Sequence, residues 1–215
     1  MHKQLIFSIA LMLLTGVSHA VPVTFSGVFD RFNTGPFSGG TSFSGSFTLD
    51  ESVIATGLNN NFSGVVDNFQ LTIGGIDFSG ENGIVNQFSS INDDRDFFTL
   101  LLGAGTGSGN GSVVNTVVGE HTFNGVSFDW RGANLFDDPT VLAHDLTEED
   151  FDFRRVVFRF RNADGNVDDV IDNNVTSINF GSLTQVPNAG TALLFGIGLL
   201  GFAASRRSRK VKLHA

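Results

Sequence analysis

The stretch of this sequence richest in metal-binding chemistry is NADGNVDDVIDNN, Asn162 to Asn174. Asn162, Asp164 and Asn166 alternate and Asp168 and Asp169 follow, which puts five oxygen-bearing side chains within eight residues. Calcium takes about six to eight hard oxygen ligands, and carboxylates with carboxamides supply them. An EF-hand loop wants its glycine after the third ligand and a bidentate Glu at its end. Here Gly165 follows the second ligand and no Glu closes the run. The same Asn, Asp and Gly residues also build an ordinary turn between strands. Two readings stand, a calcium site and a solvated turn, and no other cofactor is expected.

Other chemistry is thin. Between Val21 and Gln185 there are two histidines, His121 and His144. No G-x-S-x-G elbow accompanies them, so a Ser-His-Asp hydrolase would need partners that the sequence does not mark. His144 and Asp145 are adjacent, and in a strand they would point to opposite faces. Paired carboxylates for glycoside cleavage arise in any chain this acidic and decide nothing. A second acidic cluster, NDDRDF at Asn92 to Phe97, has Arg95 inside it. The glycine run from Gly103 to Gly111 lacks the Lys-Ser/Thr ending of a phosphate cradle and reads as a hairpin loop. No catalytic residue is assigned, and the expectation is a protein that is not an enzyme.

The elements that would position these residues are strands. In VTFSGVFD, Val23, Phe25, Gly27 and Phe29 share one face, and in TSFSGSFTLD so do Phe43, Gly45, Phe47 and Leu49. The same alternation runs through Phe69, Leu71 and Ile73, through Val126, Phe128 and Trp130, and through Val156, Phe158 and Phe160. FFTLLL, Phe97 to Leu102, is continuously apolar and predicts a central strand covered on both faces. Gly-, Asn- and Asp-rich turns separate these runs, which predicts an all-β antiparallel sandwich or jelly roll. One short helix is expected within Asp138 to Phe151, where Thr147 precedes acids as a cap does. With 23 Phe, one Trp and no Tyr, the aromatics are core filler, and Trp130, in phase with Phe128, belongs to the core rather than to a sugar platform.

Both ends read differently. Lys3, the apolar run Leu5 to Leu14 and the small residues Ser18 and Ala20 describe a secretory signal peptide over 1–20, cut between Ala20 and Val21. The chain has no cysteine, so a fold outside the cell would rest on its core alone. The body carries seven arginines against all 22 acids, a net −15, which excludes nucleic acid as a partner. Near the C-terminus the sign reverses with Arg206, Arg207, Arg209, Lys210 and Lys212. Before them, residues 189–204 are uncharged, about 24 Å of helix against a hydrocarbon core of about 30 Å. A membrane helix with its basic stop on the cytoplasmic side is the expectation.

The succession of Val186-Pro187, the apolar TALLFGIGLLGF and the basic RRSRK resembles the PEP-CTERM sorting signal of Gram-negative bacteria. Asn188 and Ala189 stand where that family has Glu and its second Pro. The body, with FSGSFTLDES and VDNFQLTIGGIDFSG, is similar to the β-rich, cysteine-free ectodomains that precede such signals. The resemblance implies an exosortase-type processing enzyme as partner. It also implies export through the inner membrane with release to the cell surface, in association with envelope or extracellular polysaccharide. The domain plan is then a signal peptide over 1–20, an ectodomain over 21–185 and a sorting signal over 186–210 with a basic tail at 205–215. A permanently anchored single-pass ectodomain and a calcium-assisted carbohydrate-binding module are the alternatives.

Overall fold

A computed structural model describes residues 18–29, 35–57, 60–90, 94–103, 111–172, 175, 177–181 and 184–186. The chain divides into two units, Ala20–Thr184 and, from the two ends together, Met1–His19 with Gln185–Ala215. Of the second unit only residues 18–19 and 185–186 are described.

The described elements are strands β1 (Ser18–Val28), β2 (Ser42–Asp50), β3 (Asn61–Ile73), β4 (Ile76–Glu81), β5 (Gly83–Ser90), β6 (Arg95–Leu102), β7 (Ser112–Val113), β8 (Val117–Val118) and β9 (His121–Gly132), then a 3-10 turn (Glu148–Asp150), then β10 (Phe153–Arg161), β11 (Val167–Asp172), β12 (Ser177–Phe180) and β13 (Thr184–Val186). Neighbours pair antiparallel in the order β11, β10, β9, β6, β5, β3, β2, β1, β12. β3 is shared, residues 61–66 pairing with β5 and 69–73 with β4.

This sheet curls onto itself. Phe25 of β1 meets Phe128 of β9 edge-on at 4.7 Å, although four strands separate them along the ladder. Phe29 and Phe43 reach Phe158 of β10 at 5.8 and 5.2 Å. The outermost strands, β11 and β12, are consecutive in the chain, and five peptide steps from Asp172 to Ser177 span at most about 18 Å. The two sheet edges are thereby held near each other.

Inward parity follows the sequence pattern. Val23, Phe29, Leu49, Phe69, Ile73, Val126, Phe128, Trp130, Val156, Phe158 and Phe160 are all fully buried. The repeated F-S-G has a packing reason. Gly45 is the register partner of Phe25, and a Cβ there would collide with the Phe25 ring and the Gln70 carbonyl.

β6 differs from its expectation. Phe98, Leu100 and Leu102 are buried, while Phe97, Thr99 and Leu101 are half-exposed. Continuous apolarity here marks two different neighbourhoods: one face joins the core, and the other joins a ladder of rings and guanidinium groups on the outside.

The expected helix shrinks to one 3-10 turn at Glu148–Asp150, with Thr147 and Asp150 in a reciprocal capping box. It closes a strap between β9 and β10 that seals one end of the core with Leu135, Leu142, Leu146 and Phe151. Fully buried Gln87 fastens the strap, donating from Nε2 to the Val141 carbonyl at 2.8 Å and accepting the Ala143 N–H at 2.7 Å.

Candidate functional site

The Asn162–Asp169 run forms the β10–β11 hairpin. Arg161 opposes Val167, and between them the Asn162 N–H donates to the Asn166 carbonyl and the Gly165 N–H to the Asn162 carbonyl, both at 2.9 Å. The Asn162 carboxamide oxygen accepts the Asn166 N–H at 2.9 Å, and Arg161 caps the turn by donating to the Gly165 carbonyl at 2.9 Å. Gly165 has φ of 83°, the left-handed conformation that glycine takes without strain.

The hairpin therefore uses the Asn162 carboxamide oxygen and the Asn166 backbone for its own hydrogen bonds, and Asp164 stands exposed at its tip. Asp168 and Asp169 are already in β11, opposite Phe160 and Arg159 at successive register positions. Among the described residues, no group of three or more His, Asp or Glu side chains could hold a metal ion.

Asp168 has another partner. Its Oδ2 lies 3.1 Å from Nε2 of His121, at the start of β9, so the pair straddles β10. Both side chains are about one-fifth exposed, beside buried Phe123 and Phe160 at the rim of the core. His144 is paired elsewhere, with Nδ1 3.0 Å from Glu51 Oε1 and 3.3 Å from the Leu142 carbonyl. Neither histidine has a serine hydroxyl among its described partners. Each His–carboxylate pair ties two distant segments, β9 to β11 and the strap to the turn after β2.

The second acidic cluster serves the strap too. Buried Asp96 accepts the Phe136 N–H at 3.3 Å, and Arg95 pairs with Asp152 at 3.0 Å. Asp138, exposed on the strap, accepts bonds from the Thr140 hydroxyl and N–H, which hold its carboxyl below the ordinary range. Trp130 is buried among Phe98, Phe128, Phe151 and Phe180, as core. Among the hollows on the described surface are one of about 260 Å³ over Phe136, Val141 and His144 and another of about 320 Å³ over Gln70, Ser79 and Glu81.

The feature that sequence reasoning missed is on the outer face. Phe88 and Phe97 stack at 4.7 Å with planes 7° apart, and the Arg131 guanidinium sits 4.8 Å from the rings of both Phe97 and Phe153. Asp129 accepts from Arg131 Nε and Nη2 at 2.9 and 2.6 Å and from Arg155 at 2.9 Å. Two alternations were its available signals: Arg and Asp interleaved with Phe128 and Trp130 in SFDWR, and Arg with Val and Phe in FRRVVFR.

Of the terminal residues, Ala20 and Val21 are in β1 and Val186 ends β13. Pro187, Asn188, Ala189, the apolar stretch to 204, and Arg206, Arg207, Arg209 and Lys210 lie outside the described residues. Among the described residues no helix is long and apolar enough to cross a membrane. No protein-family model matches the chain, and no curated protein or solved structure shows significant similarity to it.

Proposed function

We propose that this is an exported, non-enzymatic surface or extracellular-matrix protein. Its N-terminal segment is removed after Ala20, and its C-terminal Val186–Lys210 segment acts as a PEP-CTERM-like sorting signal. The observation that carries the reading is in the sequence: an acidic, cysteine-free body bracketed by a signal-peptide-like start and by an apolar run that ends in five cations. The apolar run enters the inner membrane with its basic end in the cytoplasm. An exosortase-type enzyme then releases the body to the cell surface, in contact with envelope or extracellular polysaccharide.

The curled sheet supports a finer fold reading, a β-sandwich or jelly roll in which β1 and β2 form one layer over β9 and β10. A compact unit running from Ala20 to Thr184 is compatible with removal of both ends without loss of the core.

The test is the intact mass of the protein recovered from envelope and medium of its native host. The reading expects a species that starts at Val21 and ends near Val186 or Pro187. A membrane-bound species from Val21 to Ala215 would make the C-terminal stretch a permanent anchor, and one that starts at Met1 would remove the export signal.

A further inference from the structure

We infer that the outer face of β12, β1, β2, β3 and β4 is a docking lane for a neutral, hydroxyl-rich polysaccharide chain. The inference rests on the proposed contact with extracellular polysaccharide and names the surface and the class of polymer.

The lane follows from parity and register. Phe25, Phe47, Leu71, Phe78 and Ile178 are buried, one on each of the five strands, so the residues that alternate with them face out. Asn179, Thr24, Ser46, Gln70 and Ser79 are successive register partners and form one row across all five strands. Ser177, Ser26, Ser44 and Thr72 form the next row, which ends on Asp77, the acceptor of the Thr72 hydroxyl at 2.6 Å. Neighbouring strands lie about 4.8 Å apart, so each row is about 19 Å long. None of the five side chains of the first row has a hydrogen-bond partner among the described residues, which leaves their donors and acceptors turned to the outside. The row leads into the hollow of about 320 Å³, which Gln70 and Ser79 line together with Asn68, Glu81, Ser112 and Val114. Val114 is 59% exposed and gives this hollow an apolar wall.

Charge selects the occupant. In a body with seven arginines against 22 acids, the two rows carry one carboxylate, Asp77, and no cation. Every described arginine lies on β6, β9 or β10. An anionic polymer would meet no counter-charge on the lane and would meet Glu81 at the hollow. A lipid surface would find neither a cationic patch nor an apolar face. Sugar hydroxyls both donate and accept, and so do Ser, Thr, Asn and Gln side chains, which makes a neutral polyhydroxyl chain the complementary ligand. Each exposed bond replaces one to water and adds little alone. Binding therefore comes from several sugar rings engaging the row at once, with Val114 against the apolar face of one ring in the hollow.

The test uses the full chain in micelles of a detergent without a sugar headgroup. It is titrated with the host's extracellular polysaccharide, split by anion exchange into neutral and acidic pools, and calorimetry at physiological salt reads the binding. We expect binding to the neutral pool, unchanged by EDTA, and at least about tenfold weaker binding to the acidic pool. Gln70→Ala combined with Ser79→Ala should weaken binding of the neutral pool at least about fivefold, while the melting temperature stays within about 2 °C. Thr99→Ala, on the outer face of β6, should change neither. Preference for the acidic pool, or undiminished affinity in the double variant, would overturn the lane while leaving a polysaccharide contact standing. Binding lost in EDTA would move recognition to a metal site and overturn it as well. Binding to neither pool would overturn the inference, and the intact mass of the host's own protein then decides the export reading by itself.

Discussion

The two faces of β6, β9 and β10 both carry phenylalanine, and they stabilise it by different means. On the inner face Phe128 meets Phe25 at 4.7 Å, Phe47 at 6.0 Å and Trp130 at 5.2 Å, in edge-on or tilted contacts, and no part of it reaches solvent. Those partners come largely from across the curled sheet, β1 and β2, so the ring is enclosed on all sides. On the outer face no such facing wall is described over Phe97. Its neighbours are lateral, the Phe88 ring on one side and the Arg131 guanidinium on the other. A planar cation covers an aromatic face while keeping its N–H groups available for hydrogen bonds, and Asp129 takes those of Arg131 and Arg155. The outer ladder thus spares a phenylalanine-bearing surface from becoming one contiguous apolar patch.

The largest break in this comparison comes from the inner face. Phe128→Ala should cost about 3–5 kcal/mol, because the facing walls of the curled sheet cannot collapse into the void, and thermal unfolding should shift down by roughly 10 °C. A loss under about 1 kcal/mol would mean that β1 and β2 do not interlock with β9 through this ring.

Next comes Asp129→Asn, which leaves Arg131 and Arg155 side by side without their shared anion. Asp129 is 14% exposed, so the loss should reach about 1–3 kcal/mol in urea unfolding. An unchanged midpoint would show that Asp129 is not what holds the guanidinium groups in place.

A smaller effect isolates the stacking. In a double-mutant cycle, Phe97→Ala and Arg131→Met should couple by about 0.5–1 kcal/mol, the size of a half-exposed cation–π contact. A Phe97→Ala loss as large as that of Phe128→Ala would make the outer face a second core and erase the distinction drawn above.

Legibility in the sequence divides along the same line. The inner face was readable because period two is a local property: Val156, Phe158 and Phe160 alternate with Val157, Arg159 and Arg161 whichever strand lies beside them. The Thr147 cap was readable for the same reason, since its partner Asp150 is three residues on. The outer ladder was not, because Phe88, Phe97, Arg131 and Phe153 come from four strands and meet only once the order β5, β6, β9, β10 is set. Apolar residues on both faces of β6 gave the pattern of a doubly covered strand, although Phe97 is covered from the side. At the candidate site the turn chemistry of Asn162 and Gly165 was visible locally. The attachment of Asp168 to His121 depends on β10 lying between their strands.

The smallest predicted effect sets a second carboxylate against Asp129. Asp138 is exposed on the strap and bonded only locally, through the Thr140 hydroxyl first and the Thr140 N–H second, and these bonds to the ionised form lower its pKa. A depressed carboxyl contributes stability that is present above its unfolded value, about 3.9, and is lost as pH falls through its lower folded value. Because solvent screens the group, Thr140→Val should leave the unfolding midpoint at neutral pH almost unmoved. The same substitution should raise the Asp138 titration toward the ordinary range, read as the pH dependence of its side-chain NMR shift. A midpoint shift as large as that of Asp129→Asn would mean that local bonds on an exposed strap stabilise the fold as much as the half-buried anion does. The contrast would then lie in hydrogen-bond number rather than in burial.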